Sequence, residues 1–305
     1  MQYNQSITNP IDTPCHLCKR NCNVNREIGK KGYCGVNSTL KLARAALHMW
    51  EEPCITGENG SGTVFFSGCP LRCVFCQNYS IAHATAGKEI TISRLAEIFL
   101  ELQDKGAHNI NLVSPTQYVP QIIEGIKLAK NQGLALPIVY NTGSYEQVET
   151  IQMLDGYVDI YLPDLKYYDS KLAKRYSNAS DYFSVATAAI NEMYKQVGKP
   201  VFEDNLLKKG MIVRHLVLPG NVDDSKRIIK YLYETYGDSI YISIMNQYTP
   251  LDSVKNFPEI NRRITDSEYD EVVDYAIELG VENGFIQEGD TASESFIPEF
   301  DSEGV

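Results

Sequence analysis

Thr63-Val-Phe-Phe-Ser-Gly-Cys69-Pro-Leu-Arg-Cys73-Val-Phe-Cys76-Gln-Asn-Tyr79 joins a strand to a loop of cysteines. Four of its first five residues are β-branched or aromatic, the composition of a buried strand. Gly68 ends that strand, and three cysteines follow with three and two residues between them. Downstream the pattern repeats. Strands are expected at Thr63 to Ser67, Asn109 to Val113, Pro137 to Asn141, Tyr157 to Leu162, Met211 to Leu218 and Ser239 to Met245. Between the first two, Ser93 is expected to cap a helix that shows Leu95, Ile98, Phe99 and Leu102 on one face and stops at Gly106. Further helices fit Val119 to Gln132, Tyr145 to Leu154, Tyr182 to Val197, Val222 to Tyr236 and Asp266 to Leu279. Nearly apolar strands alternating with helices predict an α/β fold with a parallel sheet covered by helices. A curled partial barrel and an open doubly wound sheet both satisfy this pattern.

Upstream, residues 1–56 have little apolar periodicity and read as a loop-rich, cysteine-bearing extension. Gly57-Glu-Asn-Gly-Ser-Gly62 is a flexible turn into the α/β domain at 57–290, and the acidic residues of 291–305 read as a solvated tail. The 305 residues are 43% hydrophobic and 22% charged, which excludes a disordered or fibrous chain. No run approaches the roughly 18 apolar residues of a membrane span, and the first residues lack the pattern of an export signal. A soluble, cytoplasmic protein is expected. A net charge of −11 argues against a general affinity for nucleic acid.

All 8 cysteines fall between Cys15 and Cys76. Clustered thiols in a cytoplasmic protein hold metal more often than they form disulfides. Cys69, Cys73 and Cys76 can ligate three irons of a [4Fe–4S] cube and leave the fourth iron open, or can hold a zinc ion with water as fourth ligand. Cys15, Cys18, Cys22 and Cys34 form a set of four that suits zinc or a second iron–sulfur cluster, with His16 as a substitute ligand. Cys54 is left over as an ordinary small buried residue. His215, inside a strand, reads as a core or ion-paired histidine. Tyr168, Tyr176, Tyr182 and Tyr194, set among Lys and Arg, read as amphipathic helix surface.

The cysteine spacing, with Phe75 before the last cysteine and a strand before the first, resembles the radical S-adenosylmethionine (SAM) enzymes. Within them the chain is similar to the branch of pyruvate formate-lyase activating enzyme. The resemblance implies a partial (β/α)6 TIM barrel with the cysteine-rich extension attached. It implies a [4Fe–4S] cluster that binds SAM and, once reduced by an electron donor such as flavodoxin or ferredoxin, yields a 5′-deoxyadenosyl radical that takes hydrogen from a substrate. It also nominates site residues. Asp164 and Lys166, in Leu162-Pro-Asp-Leu-Lys166, match an Asp-Leu-Lys near the cofactor's methionyl end. Arg214, in Val213-Arg-His-Leu-Val-Leu-Pro-Gly220, matches a strand arginine, and Asn141, in Val139-Tyr-Asn-Thr-Gly143, a polar strand end. Many relatives carry Gly-Gly-Glu at the end of the second strand. Here Asn111-Leu-Val-Ser-Pro-Thr116 stands instead, so Ser114 and Thr116 are the candidates for the cofactor's amino group and the carboxylate is missing. Gln247 replaces a histidine of the activating enzymes.

The resemblance implies a peptide or protein substrate, such as a glycyl-radical enzyme. The same chemistry on a small metabolite or RNA is an alternative. A cysteine-metal module without catalysis is a third reading.

Overall fold

A computed structural model describes residues 14–287 and 298–305. After an irregular segment come β1 (Leu40–His48), α1 (Pro53–Thr56), β2 (Ser61–Phe66), α2 (Tyr79–Ala82), β3 (Lys88–Ile90), α3 (Ile92–Asp104), β4 (Ile110–Val113) and α4 (Val119–Asn131). Then follow β5 (Ile138–Thr142), α5 (Val148–Gln152), β6 (Ile160–Pro163), α6 (Ser170–Ser177) and α7 (Tyr182–Val197). The chain continues through β7 (Val201–Glu203), β8 (Leu206–Leu216), α8 (Val222–Tyr236), β9 (Tyr241–Met245), α9 (Asp266–Leu279) and β10 (Gly284–Ile286).

The sheet runs β10-β9-β8-β6-β5-β4-β2-β1-β3. Every pairing from β10 to β2 is parallel, so all six expected strands lie side by side, with the short β10 added. β2, β4, β5 and β6 are buried at every position, as a sheet covered on both faces requires. The sheet curls, since Phe65 of β2 and Gln287 beyond β10 border one cavity although five strands separate β2 from β10. This is a partial barrel rather than an open doubly wound sheet.

The helices form where the apolar face is spaced for them. α7, α8 and α9 keep the expected bounds, and α9 starts in a reciprocal capping box between Thr265 and Glu268. The cap of α3 is Thr91, whose side chain accepts from the Arg94 N–H, rather than the expected Ser93. α3 and α4 press closely together, because a Cβ on Gly125 would lie 2.9 Å from Leu95 Cδ2. Two of the tyrosines expected on a helix surface, Tyr176 and Tyr182, are instead core residues. Phe75 draws Tyr176 inward, and Tyr182 donates to the Gly143 and Asp164 carbonyls.

The extension is more than a knob. β1 lies antiparallel to β2 and joins the main sheet. After it, α1 plugs the floor of the barrel, where Cys54 and Ile55 pack against Val139, Ile160, Leu162 and Ile212. Cys54 is thus the small buried residue the sequence suggests. The acidic tail also departs from expectation. Residues 288–297 lie outside the described residues, but 298–305 are docked on β1. The Ser302 N–H donates to Ala43 O, and the Ala45 N–H to Glu303 O. Arg44 draws the tail in, pairing with Asp301 at 3.0 Å and with Glu303. Phe300 packs edge-on to Phe65.

Candidate active site

At the C-terminal ends of the parallel strands lies a cavity of about 300 Å³. β2 delivers the loop with Cys69, Cys73, Phe75 and Cys76. β4 leads into Ser114, β5 contributes Asn141, β6 leads into Asp164 and Lys166, β8 carries Arg214, and β9 supplies Met245 and then leads to Gln247. Catalytic side chains on several strand ends are the usual economy of such barrels. Thr116 is not among them: its hydroxyl donates to Glu146 and is turned away from the cavity.

The three thiols share one wall. Burial raises the Cys69 and Cys76 thiols, and the neighbouring cysteines add to it, while the nearby Lys166 ammonium favours their thiolate forms. Cys69 Sγ accepts from the Leu71 N–H at 3.4 Å, and Cys73 Sγ from the Ser177 hydroxyl at 2.9 Å. Phe75 is wedged among Tyr167, Tyr176 and Tyr248, with ring centroids 6.0 to 6.3 Å away, which anchors the loop from behind. Three thiolates on a cavity wall, with N–H and O–H donors on sulfur and a cation beside them, fit three-point ligation of an iron–sulfur cube.

Below the thiols, opposite charges alternate. Lys166 Nζ lies 2.6 Å from Asp164, Asp164 lies 3.0 Å from Arg214 Nε, and Arg214 Nη1 lies 3.0 Å from Glu51. Burial alone would raise the Asp164 carboxyl, but Lys166 and Arg214 outweigh it and hold it below its ordinary range. Arg214 also donates to Asn141 Oδ1 at 2.6 Å. Glu51 Oε1 accepts from Asn111 at 3.0 Å and from Asn141 at 3.3 Å.

Glu51 is the residue sequence reasoning missed. The strand-end carboxylate of many relatives is absent from β4, yet a carboxylate enters the cavity from the plug ahead of α1. Its signal was Trp50-Glu-Glu-Pro-Cys54, two consecutive acids beside apolar residues. Its neighbour Glu52 is also buried, which raises its carboxyl, and its Oε2 has no hydrogen-bond partner among the described residues.

His215, next to Arg214, is structural. Its ring nitrogens meet Leu165 O at 2.8 Å and Ser225 Oγ at 2.9 Å, and burial pushes its pKa down to about 4. The unfolded chain takes up this proton near 6.5, so stability falls as pH drops from 6.5 toward 4, by about 3 kcal/mol over the full window. In His215→Gln this part of the pH dependence should vanish. The unfolding free energies of the two proteins should therefore converge on acidification, and a constant difference between pH 7 and 4.5 would contradict it.

The other cysteines are also gathered. Cys18 senses the charges of Cys34, Cys15 and Cys22, and a Cβ on Gly32 would lie 2.9 Å from Cys22 Sγ and 3.5 Å from Cys34 Sγ. His16 is exposed. Among the described residues no three His, Cys, Asp or Glu side chains close on a point for a single metal ion, at either cysteine set.

Comparison with known proteins places this geometry. The radical SAM superfamily profile matches residues 63–232. An uncharacterized protein of Methanocaldococcus jannaschii is 30% identical over 283 residues, 88% of this chain and 76% of that protein. The pyruvate formate-lyase-activating enzyme of Clostridium pasteurianum is 27% identical over 180 residues, 55% of this chain and 66% of that enzyme. Among solved structures, Streptococcus suis SuiB bound to precursor peptide SuiA aligns with a TM-score of 0.50 at 15% identity, over 73% of this chain and 47% of that one. The chain thus spans just under half of SuiB, and that likeness speaks for the fold.

Proposed function

The chain belongs to the radical SAM superfamily, and from that premise we propose that it uses Cys69, Cys73 and Cys76 to generate a radical that takes hydrogen from an exposed segment of a partner protein. Family membership implies a [4Fe–4S] cluster and SAM, which together supply reductive cleavage of the sulfonium bond and a 5′-deoxyadenosyl radical. What carries the reading is the juxtaposition of three thiols with one cavity that also holds Ser114, Asn141, Asp164, Lys166 and Arg214.

The chain's residues have separable tasks. Lys166, on the cavity wall, is placed to receive a carboxylate while Asp164 keeps it charged. Ser114, held in the left-handed region at φ 55°, follows β4 on the cavity wall. Asn141, Arg214 and Glu51 fix the polar floor, and the α1 plug keeps water from entering beneath it. A cavity of about 300 Å³ lies at the small end for ligand sites, roughly 300 to 1,000 Å³. With a cofactor bound, little room is left for a large free metabolite, which favours a protruding stretch of a partner protein. The glycine of a glycyl-radical enzyme is such a target, and similarity to an activating enzyme supports it. The alternating buried charges favour, as a second reading, a small zwitterionic metabolite. The electron comes from a small donor protein of the flavodoxin or ferredoxin type.

Anaerobically reconstituted protein given dithionite and SAM should form 5′-deoxyadenosine and methionine. Absence of both products from protein shown spectroscopically to carry a four-iron cluster would sink this proposal. Deuterium transfer into 5′-deoxyadenosine from labelled partner protein, but not from labelled amino acids, separates the two substrate readings.

A further inference from the structure

Residues 14–39 contain no helix and no strand. Stretches of this length inside a compact domain are uncommon without a fastening of their own. Apolar packing does not supply it, because the buried hydrophobic residues here are only Cys18, Cys34 and Val36. What the segment does bring together is sulfur. Left-handed Asn21 and Asn23, at φ 42° and 56°, turn the chain so that the Cys15 N–H donates to Val24 O at 2.9 Å, which returns Cys22 toward Cys15. The Gly32 backbone then brings in Cys34 beside Cys22, where any Cβ would collide with the Cys22 sulfur. All four cysteines are free thiols.

We infer that Cys15, Cys18, Cys22 and Cys34 bind one iron–sulfur cluster, whose several irons suit four gathered thiols that do not close on a single point, and that this centre fastens the catalytic cysteine loop through Arg20. Four thiolates complete the coordination of such a cluster, and binding energy at a metal site is folding energy for the segment around it. The fastening is direct. Arg20 stands between Cys18 and Cys22, and its guanidinium donates to Pro70 O at 2.7 Å, Ser177 O at 2.7 Å and Asn178 O at 2.5 Å. Pro70 follows Cys69, and the Ser177 hydroxyl donates to Cys73 Sγ. A second contact lies alongside. Gly68, at φ 94°, is pressed so closely on Cys34 that its Cβ would lie 3.0 Å from the Cys34 carbonyl oxygen. Order in the metal-bound segment therefore reaches both Cys69 and Cys73 through at most two hydrogen bonds. The metal centre stands independently of the proposed reaction; only the fastening half rests on the cluster at Cys69, Cys73 and Cys76.

Elemental and acid-labile sulfide analysis of the full chain carrying Cys69→Ala, Cys73→Ala and Cys76→Ala, purified without oxygen, tests the first half. Iron with matching sulfide is expected, and one zinc per chain without iron would overturn the cluster. A folded, cooperatively melting variant free of metal would overturn the proposal, as would a disulfide found by thiol counting. Arg20→Ala in the otherwise native chain tests the second half. It should keep the metal of the first centre while losing iron from the other several-fold faster on chelator challenge, followed by absorbance. Unchanged iron loss would overturn the fastening without touching either the first centre or the proposed reaction.

Discussion

Cys73→Ala should leave a folded protein that forms no 5′-deoxyadenosine. The side chain is buried, sits on the cavity wall between the other two thiols in sequence, and receives the Ser177 hydroxyl at 2.9 Å. Losing an outer partner of a metal ligand costs 10- to 100-fold in metal affinity or activity as a rule, so losing the ligand itself should exceed about 100-fold. Ser177→Ala removes only that outer donor and should fall inside the smaller range. Product formation by both variants, measured with iron content under anaerobic turnover, checks the pair. Full activity in Cys73→Ala would remove that residue from the machinery, and equal losses in the two variants would contradict the division of roles.

The largest expected stability effect belongs to Arg214. Its guanidinium is 13% exposed and joins Glu51 and Asp164, 9% and 14% exposed, at 3.0 Å each. Arg214→Met removes the cation and leaves Asp164 with Lys166, but leaves Glu51 a buried carboxylate with only two amide donors. Breaking a buried pair from one side costs about 3 to 5 kcal/mol, because the other charge is stranded. Adding Glu51→Gln to Arg214→Met should recover a good part of that loss, since the stranded charge goes with it. Denaturant unfolding of wild type, both single variants and the double variant measures the coupling. Additive losses would show that the two residues do not depend on each other.

Much of this was readable in the chain because parallel strands, covered on both faces, write themselves as continuous apolar runs. The loop from Cys69 to Cys76 was readable because its spacing carries the ligand geometry within eight residues. α6 escaped notice because its buried face, Ala173, Tyr176 and Ser177, spans a single i, i+3, i+4 turn of an otherwise polar eight-residue helix, too short a stretch for the period to stand out. β1 was missed because Leu-Lys-Leu-Ala-Arg-Ala-Ala-Leu-His, rich in alanine, lacks a strand's composition, and its place is set by β2. Glu51 is a tertiary fact. It reaches Asn111, Asn141 and Arg214, which are 60 to 163 residues away, only because α1 plugs the barrel, and no local pattern announces that. Thr116 failed in the opposite way: it lies beside Ser114 in sequence, but the short helical turn after β4 rotates it toward Glu146.

The strand laid backwards against β2 also decides how the barrel ends. β3 covers Leu40 to Leu42 of β1, and residues 302–303 continue along Ala43 to Ala45, so the flank beside β2, the strand that leads into the Cys69 loop, has its amides already engaged. At the far side the last strand among the described residues is β10, three residues long. A barrel left open at its seam would offer a ready template for a second copy to add its own strand. Short, charged or already paired borders deny it that, and the protein can keep an open barrel without the self-association such an edge invites.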